Sequence, residues 1–204
     1  MIVTLHFLFL HNPKTGGIWF RNVCRDFAPT SWALRDKRGA PHQHKGIAQV
    51  PDVYRGLPTI AVVRNPWDWY VSWFFYNKAR TANHRGAEHQ KWRKRYEDCP
   101  ANAAGFVKAL PRLVERGSHQ QHFLFGGGHE VSHIVRYERL REGLLAAVEK
   151  TGAPVTDRFK RAMINRSPDN QSKRKPHRVY YNEESRRMVT EVDRQIVDRF
   201  DYVF

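Results

Sequence analysis

The stretch from His11 to Trp19 reads His-Asn-Pro-Lys-Thr-Gly-Gly-Ile-Trp, and it joins the most apolar run of the chain to a helical pattern. That run, from Ile2 to Leu10, is apolar apart from Thr4 and His6. A nearly continuous apolar run of this length predicts one strand buried on both faces, which is typical of a parallel sheet. The sequence therefore predicts a strand, a tight turn and the start of a helix in an α/β fold.

The turn itself has the features of an anion-binding loop. Gly16 and Gly17 can adopt positive φ and let backbone N–H groups approach an anion, while the helix that they open directs the positive end of its dipole at the same point. Lys14 adds a full positive charge. An ordinary strand-to-helix turn with a solvated lysine explains the same residues equally well, so the loop alone leaves both interpretations open.

The order of residues in the loop disfavours a kinase or an ATPase. A nucleoside triphosphate loop carries its lysine after the glycines, followed by a serine or threonine that binds magnesium. Here Lys14 precedes the glycines, and Ile18 and Trp19 follow them. The loop therefore predicts a phosphate-like ligand that is bound without a metal bridge.

Composition predicts one domain, residues 1–204, with anionic partners. A chain of 204 residues that is 41% hydrophobic can bury one α/β core but is short for two domains. Its formal net charge of +15 suits a nucleotide, a polyanionic glycan, nucleic acid or an acidic membrane surface. The two cysteines give neither a disulfide framework nor metal-ligand spacing. The apolar start is too short to span a bilayer and lacks the flanks of a signal peptide, so a cytoplasmic location is predicted.

A second strand-to-helix junction follows at residues 59–77. Thr59 to Val63 is a β-branched apolar run that ends on Arg64, and Pro66 begins a helical pattern that continues to about Asn77. A strand, an arginine and a helix start again form the layout of an anion site.

The remaining patterns continue the alternation of helices and strands. Lys78 to Asp98 is basic and polar and predicts an exposed helical or irregular insertion. This insertion is either solvated surface or one wall of a substrate cleft. Periodicity and turn signals predict the other elements. These are helices at Gly17–Phe27, Phe106–Val114 and Leu140–Lys150, a turn at Gly126–Gly128, a third strand at Val131–Tyr137, and a last helix that Asn182 caps and that continues through Phe200.

The segment His129-Glu130-Val131-Ser132-His133 matches the H-E-x-x-H pattern of zinc proteases. That chemistry needs a helix, whereas this copy follows three glycines and continues into a strand-like sequence. On a strand, residues four apart lie about 13 Å from each other and cannot share one zinc ion. A zinc hydrolase is therefore an unfavoured alternative, which neighbouring His119 and His122 support only weakly.

Two segments resemble the motifs of sulfotransferases that use 3′-phosphoadenosine 5′-phosphosulfate (PAPS): the loop Pro13 to Trp19, and Val62 to Ser72, which reads Val-Val-Arg-Asn-Pro-Trp-Asp-Trp-Tyr-Val-Ser. The branch that they are most similar to is related to the carbohydrate sulfotransferases. The resemblance implies a P-loop-like parallel sheet of about four or five strands flanked by helices, in a single domain. Residues 78–128 carry little of the similarity, whereas further matches lie at Val135–Leu140, Ser172–Arg174, Tyr180–Glu184 and Phe200–Phe204.

The resemblance also implies which residues bind the cofactor. The backbone from Lys14 to Trp19 would hold the 5′-phosphosulfate, with Lys14 neutralising the oxygen that bridges phosphate and sulfate. Arg64 and Ser72 resemble the pair that grips the 3′-phosphate, and Trp19 and Tyr137 resemble adenine contacts. The cofactor-binding set implied in this way is Lys14, Thr15, Gly16, Gly17, Ile18, Trp19, Arg64, Ser72, Tyr137, Lys173 and Arg174.

The implied catalytic residues are Lys14 and His44. A general base must take the acceptor's proton, and the family often places a histidine between the first loop and the second strand, which here is His44, with His42 as the alternative. His11 is expected to support the loop. Related loops usually have threonine or serine at the position of Ile18, so a hydroxyl contact to the 5′ end is missing here.

The function that the resemblance implies is transfer of a sulfuryl group from PAPS to a hydroxyl, or an amine, of an acceptor, leaving adenosine 3′,5′-bisphosphate and using no metal. The basic segments favour an anionic glycan as acceptor, with small alcohols, phenols and amines left open. No nucleic-acid partner and no transmembrane segment are expected. The alternative is a nucleotide- or polyanion-binding protein without catalysis, which would keep Arg64 and Ser72 but tolerate the loss of Lys14 and His44.

Overall fold

The computed structural model of the chain describes residues 1–36, 44–83, 96–169 and 174–204. Contacts between residues divide the chain into two compact units. The first unit comprises Met1–Arg64 and Gln120–Gln171, and the second comprises Asn65–His119 and Ser172–Phe204.

The first unit contains a five-stranded sheet with the order β3-β1-β2-β4-β5. Strands β2, β4 and β5 run parallel, whereas β1 is antiparallel to both of its neighbours. The α/β class is therefore confirmed, but the sheet is mixed where a parallel one was expected. The strands are β1 (Ile2–Val3), β2 (Leu8–Leu10), β3 (Arg35–Asp36), β4 (Thr59–Val63) and β5 (His133–Arg136).

The prediction of one strand from Ile2 to Leu10 is wrong, because the chain reverses between β1 and β2. The Thr4 hydroxyl oxygen accepts hydrogen bonds from the backbone amides of His6 and Phe7, at 3.1 and 2.8 Å, and the hydroxyl donates to the Phe7 carbonyl. A threonine side chain that satisfies nearby backbone groups competes with the strand ladder. The turn exposes 67% of Leu5, and β1 then pairs antiparallel with β2.

The first unit also contains the helices α1 (Gly17–Phe27), α5 (Leu140–Lys150) and α6 (Asp157–Asn165), together with α4 (His119–Phe125) from its second residue onward. The predicted bounds of α1 and α5 are confirmed. Helix α5 contacts β4 and β5, and α6 contacts α1 and α5. The core between them is formed by fully buried apolar side chains, among them Phe9, Phe20, Trp32, Ile60, Val62, Leu144 and Phe159.

The second unit is helical. The helices in its described part are α2 (Pro66–Asn83), α3 (Ala103–Val114), α7 (Glu183–Val192) and α8 (Arg194–Arg199). Asn182 caps α7 as predicted, since its side-chain oxygen accepts from the Ser185 amide at 2.8 Å. The expected continuous helix through Phe200 is wrong, because it is interrupted at Asp193, whose backbone departs from helical angles and whose carbonyl accepts from Ile196 and Val197.

The expected insertion from Lys78 to Asp98 is described at its two ends only. The Lys78 ammonium group donates to the carbonyl of Tyr96 at 2.9 Å, and Tyr96 is 1% exposed. The segment is therefore packed at Tyr96 and not solvated there. Asp98 forms ion pairs with Lys108 and Arg112 of α3. Within the described ranges, no helix combines the length and the apolar character that crossing a membrane requires.

Candidate functional site

The loop after β2 is a tight turn that begins α1. Gly16 precedes the helix in the left-handed region, with φ of 79°, and Lys14 also has a positive φ of 64°. The Thr15 hydroxyl donates to the Asn12 carbonyl at 2.7 Å and closes the turn from inside, where Thr15 is fully buried. The N-terminus of an 11-residue helix therefore opens directly on this loop, and Ile18 lies in its first turn without a hydroxyl.

Both glycines of the loop are required by what surrounds them. A Cβ on Gly16 would lie 2.5 Å from Cδ2 of Leu140, and its φ already favours glycine. A Cβ on Gly17 would lie 2.0 Å from Cδ2 of His11. The imidazole of His11 thus packs directly against the first residue of α1, which supports the expectation that His11 holds the loop.

Arg64, which follows β4, reaches this loop. Its side chain donates from Nη1 to the Lys14 carbonyl at 2.6 Å, and its Cζ lies 4.1 Å from the centre of the Tyr137 ring. Arg64 is 7% exposed, so the guanidinium is held in a polar, partly desolvated place rather than in bulk water. The two predicted anion-binding junctions therefore meet at Arg64 and Lys14, with Tyr137 beside them.

Two buried amides that the sequence analysis missed hold the strand ends together. Gln120 is 1% exposed, and its side chain accepts from the Arg64 amide and donates to the Arg64 carbonyl, both at 2.9 Å. The Asn12 side chain donates to the Val62 carbonyl at 3.0 Å. Because both amides bond to residues far away in the chain, no local pattern indicates them.

His44 lies next to His11, the residue with which the loop begins. Its Nδ1 is 3.1 Å from the His11 carbonyl, and the two rings are 4.8 Å apart. Because a carbonyl only accepts, Nδ1 of His44 carries the hydrogen, and in the neutral ring the lone pair is on Nε2. Burial lowers the pKa of His11 well below its ordinary value, and electrostatic interactions with His44, Arg21 and Lys14 lower it further. His11 is therefore neutral near pH 7.

Trp19, which was expected to contact adenine, is part of the core of the first unit. It is 3% exposed, its Nε1 donates to the Arg166 carbonyl at 3.3 Å, and the Arg141 guanidinium lies 5.1 Å from its ring. The adenine contact stays a prediction, as does that of Tyr137.

The other predicted cofactor residues belong to the second unit. Ser72 lies in α2 and is 3% exposed. Arg174 donates from Nη2 to Asp68 at 2.5 Å, and Nδ1 of His177 lies 3.6 Å from the same carboxylate. Their roles at the 3′-phosphate stay predictions. Lys173 and His42 lie outside the described residues.

The zinc-like motif has the local structure that the sequence analysis predicted. His133 lies on β5 rather than on a helix, and burial lowers its pKa. Nε2 of exposed His129 lies 2.6 Å from Nη1 of Arg55, so it accepts from that guanidinium. Among residues 1–36, 44–83, 96–169 and 174–204, no three histidine, cysteine or acidic side chains are grouped to hold a metal ion.

No protein-family model matches the chain, and no curated protein matches it significantly. The first unit brings together several groups that can bind an anion. It combines backbone N–H groups at a helix start, the cations Lys14 and Arg64, the aromatic ring of Tyr137, and a histidine with a defined tautomer. These groups suit an anionic, ring-bearing ligand and a proton transfer.

Proposed function

We propose that the protein is a sulfotransferase that moves a sulfuryl group from PAPS to a hydroxyl, or an amine, of an acceptor and releases adenosine 3′,5′-bisphosphate. The observation that carries the proposal is the contact between Arg64 and the Lys14 carbonyl. It joins the two segments that resemble the cofactor motifs of this family. Adjacent parallel strands bring their carboxyl ends together in any α/β sheet, so the support comes from the groups that meet there, the loop of Lys14 and the buried guanidinium of Arg64.

In this proposal the loop from Lys14 to Trp19 binds the 5′-phosphosulfate through backbone N–H groups. The start of α1 supports the same anion through its dipole. The Lys14 ammonium group acts on the oxygen between phosphate and sulfur, which gains negative charge as the nucleotide leaves. Stabilising a charge that develops in the transition state raises turnover more than it raises affinity.

Arg64 and Tyr137 form the nucleotide end of the proposed site. A guanidinium suits a phosphate dianion because its planar fork can donate two parallel hydrogen bonds. The stacking of Arg64 on Tyr137, at 4.1 Å, fixes the direction of that fork. The roles of Ser72, Lys173 and Arg174 at a 3′-phosphate stay predictions from the resemblance.

His44 is the proposed general base. As the acceptor oxygen attacks sulfur, the bond from sulfur to the bridging oxygen breaks, its electron pair stays on the phosphate, and Nε2 of His44 takes the acceptor's proton. The hydrogen bond from Nδ1 to the His11 carbonyl supports this role, since it puts the lone pair on Nε2. His42 is the alternative base.

Transfer of labelled sulfate from PAPS tests the proposal. A panel of anionic glycans, neutral sugars, phenols, alcohols, amines and lipids would also identify the acceptor class, for which the net charge of +15 favours an anionic glycan. The cytoplasmic location is likewise a proposal. We expect transfer by the parent protein, a loss of about 100-fold or more in Lys14→Met, and parent activity in Lys150→Met, which removes an exposed lysine at the end of α5.

Two outcomes would change the assignment. Transfer that Lys14→Met retains in full would contradict the proposed role of the loop. Tight binding of the nucleotide with no transfer to any acceptor would instead identify a nucleotide-binding protein without catalysis.

A further inference from the structure

The second unit contains a cavity of about 360 Å³ beside the C-terminal helices α7 and α8. Pockets that bind small molecules commonly have volumes of about 300 Å³ or more. None of the residues that line the cavity is assigned to the proposed nucleotide site, although Trp67 lies between Arg64 and Ser72 in the sequence. Its lining includes Trp67, Arg186, Thr190, Glu191, Arg194 and Phe204, together with Arg187.

Of the four charged side chains that line this cavity, one forms an ion pair among the residues that the structure describes. Arg187 pairs with Glu183 at 2.5 Å, one turn before it on α7. Among the residues that the structure describes, Arg186 and Arg194 form no ion pair with a carboxylate. Glu191 likewise forms no ion pair with a cation there. The cavity therefore presents two cationic groups and one carboxylate, all exposed, to whatever enters it.

The wall that carries Arg186 is held in place by its surroundings. The Trp67 indole Nε1 and the Thr190 hydroxyl both donate to the Arg186 carbonyl, at 3.1 and 3.0 Å. The Arg186 guanidinium lies 5.6 Å from the Phe204 ring, and that ring lies edge-on to Trp67 with centroids 5.6 Å apart. A cation that is already ordered on an aromatic ring loses less freedom when it binds an anion.

We propose that this cavity binds a small polyhydroxylated oxyanion, such as a sugar acid or a sugar sulfate. Arg186 and Arg194 would bind the oxyanion through charge-assisted hydrogen bonds. Glu191 would accept hydrogen bonds from hydroxyl groups of the same ligand. A carboxylate in the cavity repels a bare sulfate or phosphate ion, so the mixture of charges favours a ligand that carries both an oxyanion and hydroxyl donors.

This inference goes beyond the proposed function and does not depend on it, because it uses none of the residues of the nucleotide site. If the protein transfers sulfate, the cavity is a second place where an anionic compound binds. If the protein does not transfer sulfate, the cavity is still expected to bind the same class of ligand.

Calorimetric titration with four probes tests the inference: glucuronate, glucose 6-sulfate, neutral glucose and inorganic sulfate. We expect glucuronate or glucose 6-sulfate to bind at least about tenfold more tightly than glucose and inorganic sulfate. The comparison of glucuronate with glucose 6-sulfate shows whether the cavity prefers a carboxylate or a sulfate group. The variant Arg186→Gln with Arg194→Gln should lose about tenfold or more in affinity for the preferred sugar. Glu191→Gln should reduce the preference for that sugar over inorganic sulfate.

The matched control changes Arg161 and Arg199 to Gln, which removes the same charge from exposed positions outside the cavity. It should bind the preferred sugar like the parent, and equal losses in the control and in the cavity variant would overturn the proposal. A second measurement needs no variant in the cavity. In the NMR spectrum of the parent protein, saturation with the preferred sugar should shift the indole N–H resonance of Trp67. An unchanged resonance would also overturn it. Binding of adenosine 3′,5′-bisphosphate to the cavity variant reports on the proposed function separately.

Discussion

The guanidinium of Arg64 donates a hydrogen bond to the backbone carbonyl of Lys14 over 2.6 Å. The end of β4 therefore holds the loop that follows β2 in its left-handed conformation, in addition to providing a positive charge. A lysine in place of Arg64 would keep the charge but would have neither the planar fork nor the stacking on Tyr137. This arginine thus connects the geometry of the loop with its electrostatics.

Gly17→Ala is expected to destabilise the protein. The new methyl group would lie 2.0 Å from the His11 ring, which is 5% exposed and cannot move without disturbing its neighbours. Overpacking of this kind costs about 1–3 kcal/mol in the free energy of unfolding, which urea denaturation measures.

Gly56→Ala is the matched control, because a Cβ at Gly56 meets no atom within 4 Å. It should change the free energy of unfolding by less than about 1 kcal/mol, with either sign. If Gly17→Ala proves as stable as Gly56→Ala, the close packing of His11 on α1 is not as described.

His44→Asn is expected to separate positioning from proton transfer. The asparagine amide can still donate to the His11 carbonyl, as Nδ1 does at 3.1 Å, but it offers no basic nitrogen. Turnover of labelled sulfate transfer should fall by about 10²–10⁴-fold, because general-base catalysis commonly contributes that much. The affinity for adenosine 3′,5′-bisphosphate should change by no more than a few-fold.

His129→Asn serves as the control for this variant, since His129 is exposed and accepts from Arg55. Its turnover should equal that of the parent. A large loss in His42→Asn together with a small loss in His44→Asn would transfer the role of general base to His42.

The outline of the fold follows from the sequence because the buried strands and amphipathic helices are local patterns. The turn at Thr4 and the break at Asp193 do not follow from periodicity. At Thr4 a polar side chain inside an apolar run bonds to nearby backbone groups and competes with the strand ladder. At Asp193 the backbone departs from helical angles, and the buried side chain accepts from Ser118. Thr4 within the run from Ile2 to Leu10 was the available signal for the reversal.

The candidate site could be predicted only as two separate loops. Their meeting at Arg64 depends on the order of the parallel strands β2 and β4, and on Gln120, which comes from a helix far along the chain. The burial of Trp19 shows the same limit. A large aromatic side chain on the first turn of a helix can face a ligand or the core, and the choice depends on partners such as Arg141.

Asp193 is expected to give the protein a distinctive dependence of stability on pH. Its carboxyl is 1% exposed, and burial raises its pKa to about 6 although the Ser118 hydroxyl donates to it. The folded state therefore holds a proton that the unfolded chain, with an ordinary pKa of 3.8, releases. As pH rises from about 4 to about 6, this group should reduce the free energy of unfolding by about 1.4 kcal/mol per pH unit, or on the order of 3 kcal/mol in all.

The Asp193→Asn variant isolates this contribution when its unfolding is compared with that of the parent at each pH. The comparison is needed because His11, whose pKa is lowered, has the opposite effect below its ordinary value of 6.5. If Asp193→Asn differs from the parent by a constant amount across this range, the raised pKa is refuted.

The proposed nucleotide site is tested most directly by calorimetric titration of adenosine 3′,5′-bisphosphate into the parent protein, Arg64→Ala and Arg136→Ala. The parent should bind one molecule per chain, and Arg64→Ala should bind about 10- to 100-fold more weakly, since a charge-assisted hydrogen bond and the support of the loop are lost together. Arg136→Ala removes an exposed arginine at the end of β5 and should bind like the parent. No binding to the parent, or equal affinity in the parent and Arg64→Ala, would contradict the proposal that Lys14 and Arg64 form a nucleotide site.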